Sequence, residues 1–404
     1  MLISRSLVIA FVGLSIVACD HATVVQPAQR SPTNAAARTL GGGVMLDVGD
    51  VEALYAAVND PAHVGAEIVL ASGTYVLTAN NPAGVPRPNG GRLELQPDMS
   101  LSGVSGDRSA VVIDMSSLPG SSFNASVGKT AGIRIGRGTN AVEWLTIAGN
   151  PNSTAGVETD LADASPTQIT LAHLLAHGSI RGLDVRNSGV AMSGRSIVAT
   201  IEDNEFFGGT EGVRLLNGSG IIGGQIEVTM SGNRIHDNVN GCIVEHNRSS
   251  AGSIRVRSSG DRFEHNALGC LIGGGLVAGT ASGVASSNTT FFEAHGDAFV
   301  DNTLEASSID YGGVLVLGAE TPGIANSSSN NTVTAAFWGT MVSGNQNVDF
   351  QAYGARSTAI PSGVSGTDNH VTVELHGVSK LIDVDAVNSS PLDPAGTNRV
   401  TIIR

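Results

Sequence analysis

The stretch GNRIHDNVNGCIV (232–244) is followed by a near copy of itself, GDRFEHNALGCLI (260–272). Both have Asn or Asp at the second position, an apolar residue two places later and Gly six places after that. The same pattern is found in DNEFFGGTEGVRL (203–215), NNTVTAAFWGTMV (330–342) and DNHVTVELHG (368–377). A pattern that recurs in this way predicts a chain folded as a stack of similar units.

The spacing of the copies indicates which kind of stack to expect. Asn204, Asn233 and Asp261 occupy equivalent positions 29 and 28 residues apart, and 288–300 fits after a slip of one residue. The L-x-x-L-x-L spacing and a 3.6-residue apolar period are both missing, which excludes leucine-rich and helical repeats. A propeller blade needs about 40 residues and four strands. We therefore predict an all-β protein, a right-handed parallel β-helix, in which short strands of successive coils pair and the Asn side chains form a ladder.

The composition of the 404-residue chain agrees with such a fold. Glycine accounts for 52 residues, whereas aromatic residues make up 4% and charged residues 14% of the chain. Many small, β-branched and turn-forming residues at low charge favour short strands joined by turns over helices. The formal net charge of −14 predicts no nucleic-acid partner, because phosphate binding needs clustered Lys and Arg.

The first twenty residues have the features of an export signal. Arg5 precedes an apolar run at 7–18, which is too short to cross a bilayer but suits the core of a signal peptide. The sequence IVAC at 16–19 resembles the bacterial lipobox, in which the cysteine is lipidated; an ordinary signal peptide is the alternative. We predict an exported protein held on a bacterial membrane by a lipid on Cys19, facing the periplasm or the cell exterior. The predicted segments are a signal peptide at 1–18, a flexible tether at 19–40 and the β-helix at 41–404.

Several motifs follow one another at the start of the predicted β-helix. Asp50 is placed to cap a short helix, and AEIVLASGTYVL (66–77), RLELQPDMSLSGVSG (92–106) and AVVID (110–114) come next. In this order they resemble the opening of the pectin-lyase-like β-helix superfamily. The resemblance implies a short N-terminal capping helix and stacked coils over 41–404. It implies no single reaction, since this fold hosts lyases, hydrolases, esterases, epimerases and non-catalytic proteins.

The strand that follows each repeated Gly carries charged residues at alternate positions. After Gly212, Val213 and Leu215 would point into the core and Arg214 outward. In the superfamily that the chain resembles, the outward face of this sheet forms the polysaccharide groove. The same alternation places seven charged side chains on that face: Arg134, Glu158, Asp160, Asp184, Arg186, Arg214 and Glu245.

Two interpretations of this charged row remain open. Outward residues of any sheet are usually polar, so the row could be a solvated surface. Alternatively, stacked carboxylates about 5–7 Å apart could cleave a glycosidic bond, because crowded acids raise one another's pKa and one can stay protonated. The cluster could also bind calcium, with an arginine as base or as clamp for a sugar acid. On the catalytic hypothesis the reacting residues are Glu158, Asp160, Asp184, Arg186 and Arg214, with Arg134 and Glu245 binding substrate.

A second candidate lies on the turn before this sheet. The pairs His236-Asp237 and Glu264-His265 occupy the same two positions of adjacent copies, so His236 is predicted to stack over Glu264 and Asp237 over His265. His236 and His265 could then move a proton or bind substrate, and the pairs could equally be surface ion pairs.

The cysteines of the repeats are predicted to lie in the core. Cys242 and Cys270 both follow the repeated Gly, at the position that Val213 has one coil earlier. Stacked strands bring their Cα atoms to about 5 Å, within reach of a disulfide, but the required dihedral angle is awkward. We expect buried free thiols.

Together these patterns lead to two functional hypotheses. The first is a lipid-anchored, extracytoplasmic β-helix that binds and cleaves a polysaccharide or cell-envelope glycan, as a lyase or a glycoside hydrolase. The second is a structural or adhesive β-helix of the cell envelope without catalysis. The motifs of named enzymes are incomplete: Glu158-Thr159-Asp160 is similar to the N-T-D of polygalacturonases but begins with Glu.

The lipid anchor can be tested directly. Cys19→Ser is expected to abolish labelling by a radioactive fatty acid and to move the protein from the membrane to the soluble fraction, because the lipid needs the sulfur atom. Ser15→Ala, a neighbouring change, should leave both unchanged. Labelling that persists in Cys19→Ser would contradict the prediction.

Overall fold

The fold is seen in a computed structural model. Cys19, the predicted signal peptide and Asp160 lie outside the residues that it describes. The described residues are 36–40, 43–119, 131–159, 166–187, 196–218, 220–277, 283–303, 312–320, 327–345, 348–356, 366–378, 384–387 and 397–404.

Each coil passes through three parallel sheets, which we name A, B and C. One coil runs through Ser196–Glu202 in sheet A, Glu205–Phe207 in sheet B and Glu211–Asn217 in sheet C. The next coil begins at Gln225–Ser231, which pairs in parallel with Ser196–Glu202. The predicted right-handed parallel β-helix is confirmed.

The strands of the three sheets are as follows, each in spatial order. Sheet A contains Ala36–Leu40, Gly43–Val48, Glu67–Leu70, Ser100–Ser102, Gly138–Glu143, Thr167–Ala172, Ser196–Glu202, Gln225–Ser231, Ser253–Ser259, Thr289–His295, Thr332–Trp338, His370–His376 and Arg399–Ile403. Sheet B contains Gly73–Val76, Val111–Asp114, Thr146–Ala148, Leu175–His177, Glu205–Phe207, Arg234–His236, Arg262–Glu264, Ala298–Val300 and Met341–Ser343. Sheet C contains Leu93–Glu94, Ile133–Arg134, Val157–Glu158, Arg181–Asn187, Glu211–Asn217, Asn240–His246, Leu268–Gly273, Gly312–Leu317, Val348–Tyr353 and Val384–Val387. Val284–Ser286 and Ser327–Ser329 form a further short pair.

The N-terminal end of the stack is closed as the sequence predicts. An α-helix spans Val51–Asn59, and the Asp50 carboxylate accepts a hydrogen bond from the backbone N–H of Ala53 at 2.8 Å. Two short 3-10 helices, Pro61–His63 and Pro88–Gly91, follow. No helix in the described ranges is long and apolar enough to cross a membrane. Ala36–Leu40 pairs antiparallel with the next strand, so the sheet begins within the stretch that the sequence predicts as a tether.

Identical positions stack through the core. Cys242 and Cys270 are direct strand partners, with Val213 before them and Val314 after them. Both thiols are buried and free, which confirms the prediction. Burial and the neighbouring Cys242 raise the pKa of Cys270 well above its usual value, so the thiol stays protonated and packs as a small apolar group.

The predicted ladder of side-chain amides is present at the turn from sheet A to sheet B. The Nδ2 group of Asn204 donates to Oδ1 of Asn233 at 2.9 Å, and that of Asn233 donates to Oδ1 of Asp261 at 2.8 Å. Each of these oxygens also accepts the backbone N–H of the residue one coil before, at 3.0 and 2.7 Å. Every rung therefore joins two coils at this turn.

The last two copies of the repeat were expected on this same ladder, and that expectation is wrong. Asn331 and Asn369 lie at the turn that enters sheet A, where Asn331 donates to Asn369 at 2.9 Å. They belong to a separate ladder, Asn288–Asn331–Asn369–Asn398. A third ladder lies between sheets B and C, Asn238–Asn266–Asn302–Asn345. All three turns need an amide that bonds to the next coil, so the letter pattern cannot distinguish one corner from another.

Acids replace amides at two consecutive rungs of the first ladder. Oδ1 of Asp297 accepts the backbone N–H of Asp261 at 2.9 Å, and Ser258 donates to Oδ2 of Asp261 at 2.6 Å. Burial raises the pKa of Asp261 to about 6. Burial, together with the nearby Asp261, raises the pKa of Asp297 to about 7. Two buried carboxyl groups thus titrate near neutral pH.

These two acids predict a stability that falls with pH. Since both pKa values lie above the usual value near 4, the folded protein holds these protons more tightly than the unfolded chain does. Their stabilising contribution is fully present below about pH 4 and is lost as the pH rises through about 6 and 7. The double variant Asp261→Asn/Asp297→Asn should raise the free energy of unfolding at pH 8 by on the order of 2 kcal/mol, and by less at pH 5.

Urea unfolding of the double variant and the wild type at pH 5 and pH 8 measures this difference. Asp301→Asn, which neutralises an exposed acid, is the matched control and should change little at either pH. Equal stability changes at both pH values in the double variant would contradict the assignment.

Candidate active site on sheet C

The outward face of sheet C carries a continuous row of charged side chains. Strand pairing aligns Arg134 with Glu158, Glu158 with Asp184 and Asp184 with Arg214. In the next two coils the aligned positions are apolar, Ile243 and then Leu271, so the charged row ends at Arg214. Four of the residues predicted from the sequence therefore stand side by side in consecutive coils.

A second row lies two residues further along the same strands. Arg186 is aligned with Leu216, and Leu216 with Glu245. Asp160, the remaining predicted acid, lies outside the described residues. The structure thus brings together two rows on one face, each of which contains both acidic and basic side chains.

Ion pairs connect the two rows. Nη2 of Arg186 donates to Oδ2 of Asp184 at 2.5 Å, and Nη2 of Arg214 donates to Oε1 of Glu245 at 2.6 Å. Two residues that the sequence analysis missed complete the network: Nε of Arg181 donates to Oε2 of Glu211 at 2.5 Å. Nη1 of Arg214 lies 3.6 Å from Glu211, and Nη1 of Arg181 lies 3.7 Å from Asp184.

A signal for the missed pair was available in the sequence. Arg181 and Glu211 each come directly before the repeated Gly of their coil, and they are strand partners. Strict alternation would place Glu211, three residues before the outward Arg214, on the inward face, so alternation by itself misses the pair. The position that Arg181 and Glu211 share, directly before the repeated Gly, is the signal that would have found both.

These outward side chains are nearly inaccessible to solvent. Glu158 and Asp184 are 0% exposed, and Arg134 and Glu245 are each 3% exposed. A charged group taken out of water is strongly destabilised unless opposite charges surround it. A dense network of buried charges is also where functional sites concentrate.

The surroundings drive the pKa values of two acids in opposite directions. Burial by itself would raise the pKa of Asp184, but the charges of Arg186, Arg181 and Arg214 outweigh burial and lower it. Burial raises the pKa of Glu245, and Arg214 offsets only part of that rise. Two carboxyl groups with opposite shifts are the arrangement that acid and base catalysis uses.

His236, from the second candidate site predicted from the sequence, lies on the outward face of sheet B and not on sheet C. His236 is aligned with Glu264, as predicted, but its hydrogen bonds go to other acids. Nε2 of His236 lies 3.0 Å from Oε1 of Glu205, and Nδ1 lies 2.6 Å from Asp237. Glu264 instead accepts from Nε of Arg234 in the preceding coil at 2.7 Å and from Arg262 on its own strand. His265 is exposed.

The histidines therefore do not join the charged rows of sheet C. His236 packs in a stack of rings on sheet B, with Phe207 at 5.0 Å and His177 beyond it. Both of its nitrogens face carboxylates of its own surface. This arrangement favours the surface ion pair over the proton shuttle.

For a metal ion, the described residues offer no ready site. Nowhere among them do three or more His, Cys, Asp and Glu side chains form a group that could hold one. On sheet C the carboxylates of Asp184, Glu211 and Glu245 contact guanidinium groups.

Comparison with known proteins gives structural similarities at low sequence identity. No family model and no curated protein matches the chain. The A-module of mannuronan C-5 epimerase AlgE4 from Azotobacter vinelandii is similar at 15% identity over 88% of this chain and 93% of that one, with a TM-score of 0.36. An alginate lyase from Paenibacillus sp. str. FPU-7 is similar at 12% identity over 85% of this chain and 99% of that one, with a TM-score of 0.28. The chain's own strand pairing, in three parallel sheets, defines its fold as a right-handed parallel β-helix.

Proposed function

We propose that the protein binds an acidic polysaccharide along the outward face of sheet C and cleaves it there, as a lyase or a glycoside hydrolase. The observation that carries this proposal is the aligned row from Arg134 to Arg214, joined by ion pairs to Arg186 and Glu245. We further propose that the protein works outside the cytoplasm, held to a membrane by a lipid on Cys19.

A polymer suits this face because the face is itself periodic. Successive coils repeat at the strand spacing of about 4.8 Å, so equivalent side chains contact an extended chain at regular intervals. The planar fork of an arginine matches a carboxylate with two parallel hydrogen bonds. Four guanidinium groups lie within neighbouring coils, those of Arg134, Arg181, Arg186 and Arg214, and the last three are paired with carboxylates of the chain that a sugar acid would replace. Sugar acids are the saccharides that carry such carboxylates.

The two acids with opposite pKa shifts suit bond cleavage. The carboxyl of Glu245, whose pKa is raised, is the better donor of a proton to the departing glycosidic oxygen. Asp184, whose pKa is lowered, stays ionised and can accept a proton or stabilise positive charge on the sugar. Arg214 interacts with both acids and would shift their proton affinities when it turns to a substrate carboxylate.

One observation favours the second hypothesis, a structural β-helix without catalysis. Arg181 and Arg214 already contact carboxylates of the chain itself, and so does Arg186. If these pairs never open, the network serves only to bind successive coils to one another. Activity measurements separate the two functions.

The catalytic proposal predicts that neutral replacements of the two acids stop cleavage. Asp184→Asn and Glu245→Gln should each lower turnover at least about 100-fold, because each removes one proton-transfer group. Reducing ends and unsaturated products, measured on a panel of acidic and neutral polysaccharides, report hydrolase and lyase activity separately. Glu227→Gln, an exposed change on sheet A, is the control and should keep full activity. Wild-type protein that neither binds nor cleaves any polymer of the panel would contradict the catalytic proposal and favour the structural alternative.

Arg214 provides a test of binding that does not depend on catalysis. Arg214→Lys keeps the positive charge opposite Glu245 but loses the planar fork, so the buried acid is not left alone. The dissociation constant for polygalacturonate should rise about tenfold, with little change for a neutral glucan. Isothermal calorimetry measures both. Equal weakening for the two polymers would contradict recognition of the sugar acid.

A further inference from the structure

A cavity of about 490 Å³ lies away from sheet C, at the corner where sheet A turns into sheet B. Its floor consists of three turn residues from consecutive coils, Trp144, His173 and Asp203. Its other wall is the loop segment Gly106–Ser109. The volume is within the range of sites that hold small molecules.

The three residues of the floor have a backbone conformation that normally favours glycine. Trp144, His173 and Asp203 have φ angles of 56°, 56° and 51°, in the left-handed region. This region costs a residue with a Cβ atom about 1–2 kcal/mol relative to glycine. At the same turn of the five later coils the residue is glycine: Gly232, Gly260, Gly296, Gly339 and Gly377. Residues other than glycine therefore occupy this turn in the three coils that line the cavity.

The loop above the cavity is held in place by contacts to three successive coils. Nη2 of Arg108 donates to Oε2 of Glu205 at 2.6 Å, and Nη1 donates to the carbonyl oxygen of Leu174 at 3.2 Å. The hydroxyl of Thr146 donates to the carbonyl oxygen of Arg108 at 3.0 Å. The cavity is thus formed before a ligand arrives, which reduces the entropy lost on binding.

The groups around the cavity suit a molecule rich in hydroxyl groups. The rings of Trp144 and His173 stack at 3.8 Å, and the Trp144 indole N–H has no acceptor within the described part of the chain. Asp203 is 55% exposed and lies 3.8 Å from Nδ1 of His173. Asp107 accepts two hydrogen bonds from Ser109, at 2.9 and 2.6 Å, and keeps oxygen capacity for a further donor. A ring N–H and two carboxylates together can donate to and accept from sugar hydroxyls.

The charge of the cavity decides between neutral and acidic sugars. Arg108 is the one Arg or Lys among the lining residues, and its guanidinium pairs with Glu205, which also pairs with Arg234. The hydrogen bonds from Ser109 lower the pKa of Asp107, so this acid is ionised at neutral pH. Asp107 and Asp203 then leave the cavity net negative, which repels a uronate or a sulfated sugar.

From these observations we propose that the corner cavity of Trp144, His173 and Asp203 is a second saccharide site, specific for a neutral pyranose. This proposal goes beyond the function proposed for sheet C. The cavity lies at a different corner of the β-helix, and it binds neutral sugars where sheet C binds acidic ones. A chain with both sites would contact two kinds of glycan, or neutral and acidic units of one glycan.

Tryptophan fluorescence tests this proposal on the purified full-length protein in detergent. The chain has two tryptophans, so Trp338→Phe leaves Trp144 as the reporter. Neutral tetrasaccharides with gluco, manno and galacto configurations are titrated, with tetragalacturonate as the acidic probe. At least one neutral probe should change the emission of Trp144 with saturation, whereas tetragalacturonate should not.

Glycine variants then locate the site without disturbing the fold. Trp144→Gly and Asp203→Gly place at this turn the residue that five other coils already have there, so the melting temperature should be kept or raised. Each should raise the dissociation constant of the neutral probe at least about tenfold by calorimetry. Ser287→Gly, the same kind of change at another left-handed turn, is the matched control.

Three outcomes would overturn the proposal. One is a wild-type protein that binds none of the neutral probes. Another is a neutral probe that binds Trp144→Gly and Asp203→Gly as tightly as it binds the wild type. The last is tetragalacturonate binding at Trp144 as tightly as the neutral sugars.

Discussion

The hydrogen bond from one turn amide to the next coil is the interaction on which this structure depends. Asn204 bonds to Asn233 and Asn233 to Asp261, and each oxygen also accepts a backbone N–H of the preceding coil. Because three such ladders hold the three corners, successive coils cannot slip relative to one another. A slip of one residue would turn every inward side chain of a strand outward. The ladders thus fix the register that the apolar core and the charged face both need.

Fixed register has the consequence that like positions stack on like positions. In the core this is favourable, as for the two buried thiols of Cys242 and Cys270. For charged residues it is favourable only when the signs alternate or when arginines come between acids. Sheet C meets this condition at the two ends of the row, where Arg134 lies beside Glu158 and Arg214 beside Asp184. In the middle of the row Glu158 and Asp184 are adjacent acids, and the charges of Arg186, Arg181 and Arg214 stabilise the ionised Asp184. The ladder itself departs from it at Asp261 and Asp297, where two acids follow each other in the interior.

At the turn from sheet A to sheet B, some coils have glycine and others have a residue with a functional side chain. The bend from sheet A to sheet B has a left-handed residue in eight consecutive coils, and in the last five of them that residue is glycine. In the earlier coils Trp144, His173 and Asp203 occupy the bend, and a loop fixed by Arg108 covers them. Sheet C and this corner are therefore proposed as two different kinds of site. The first is a long face of paired charges suited to a polymer, and the second is a small cavity suited to one sugar unit.

The sequence by itself determined the solenoid, its capping helix and the outward row of Arg134, Glu158, Asp184 and Arg214. Period and alternation are local properties, and they specify which residues of adjacent coils become neighbours. Only the tertiary structure decided which corner each Asn serves, as Asn331 and Asn369 show, since all three corners use the same amide bond. It also decided the partners of long side chains: His236 bonds to Glu205, and Arg108 reaches the same Glu205 across 97 residues of sequence. Such contacts depend on how a loop lies over several coils, and no periodic pattern in the chain records that path.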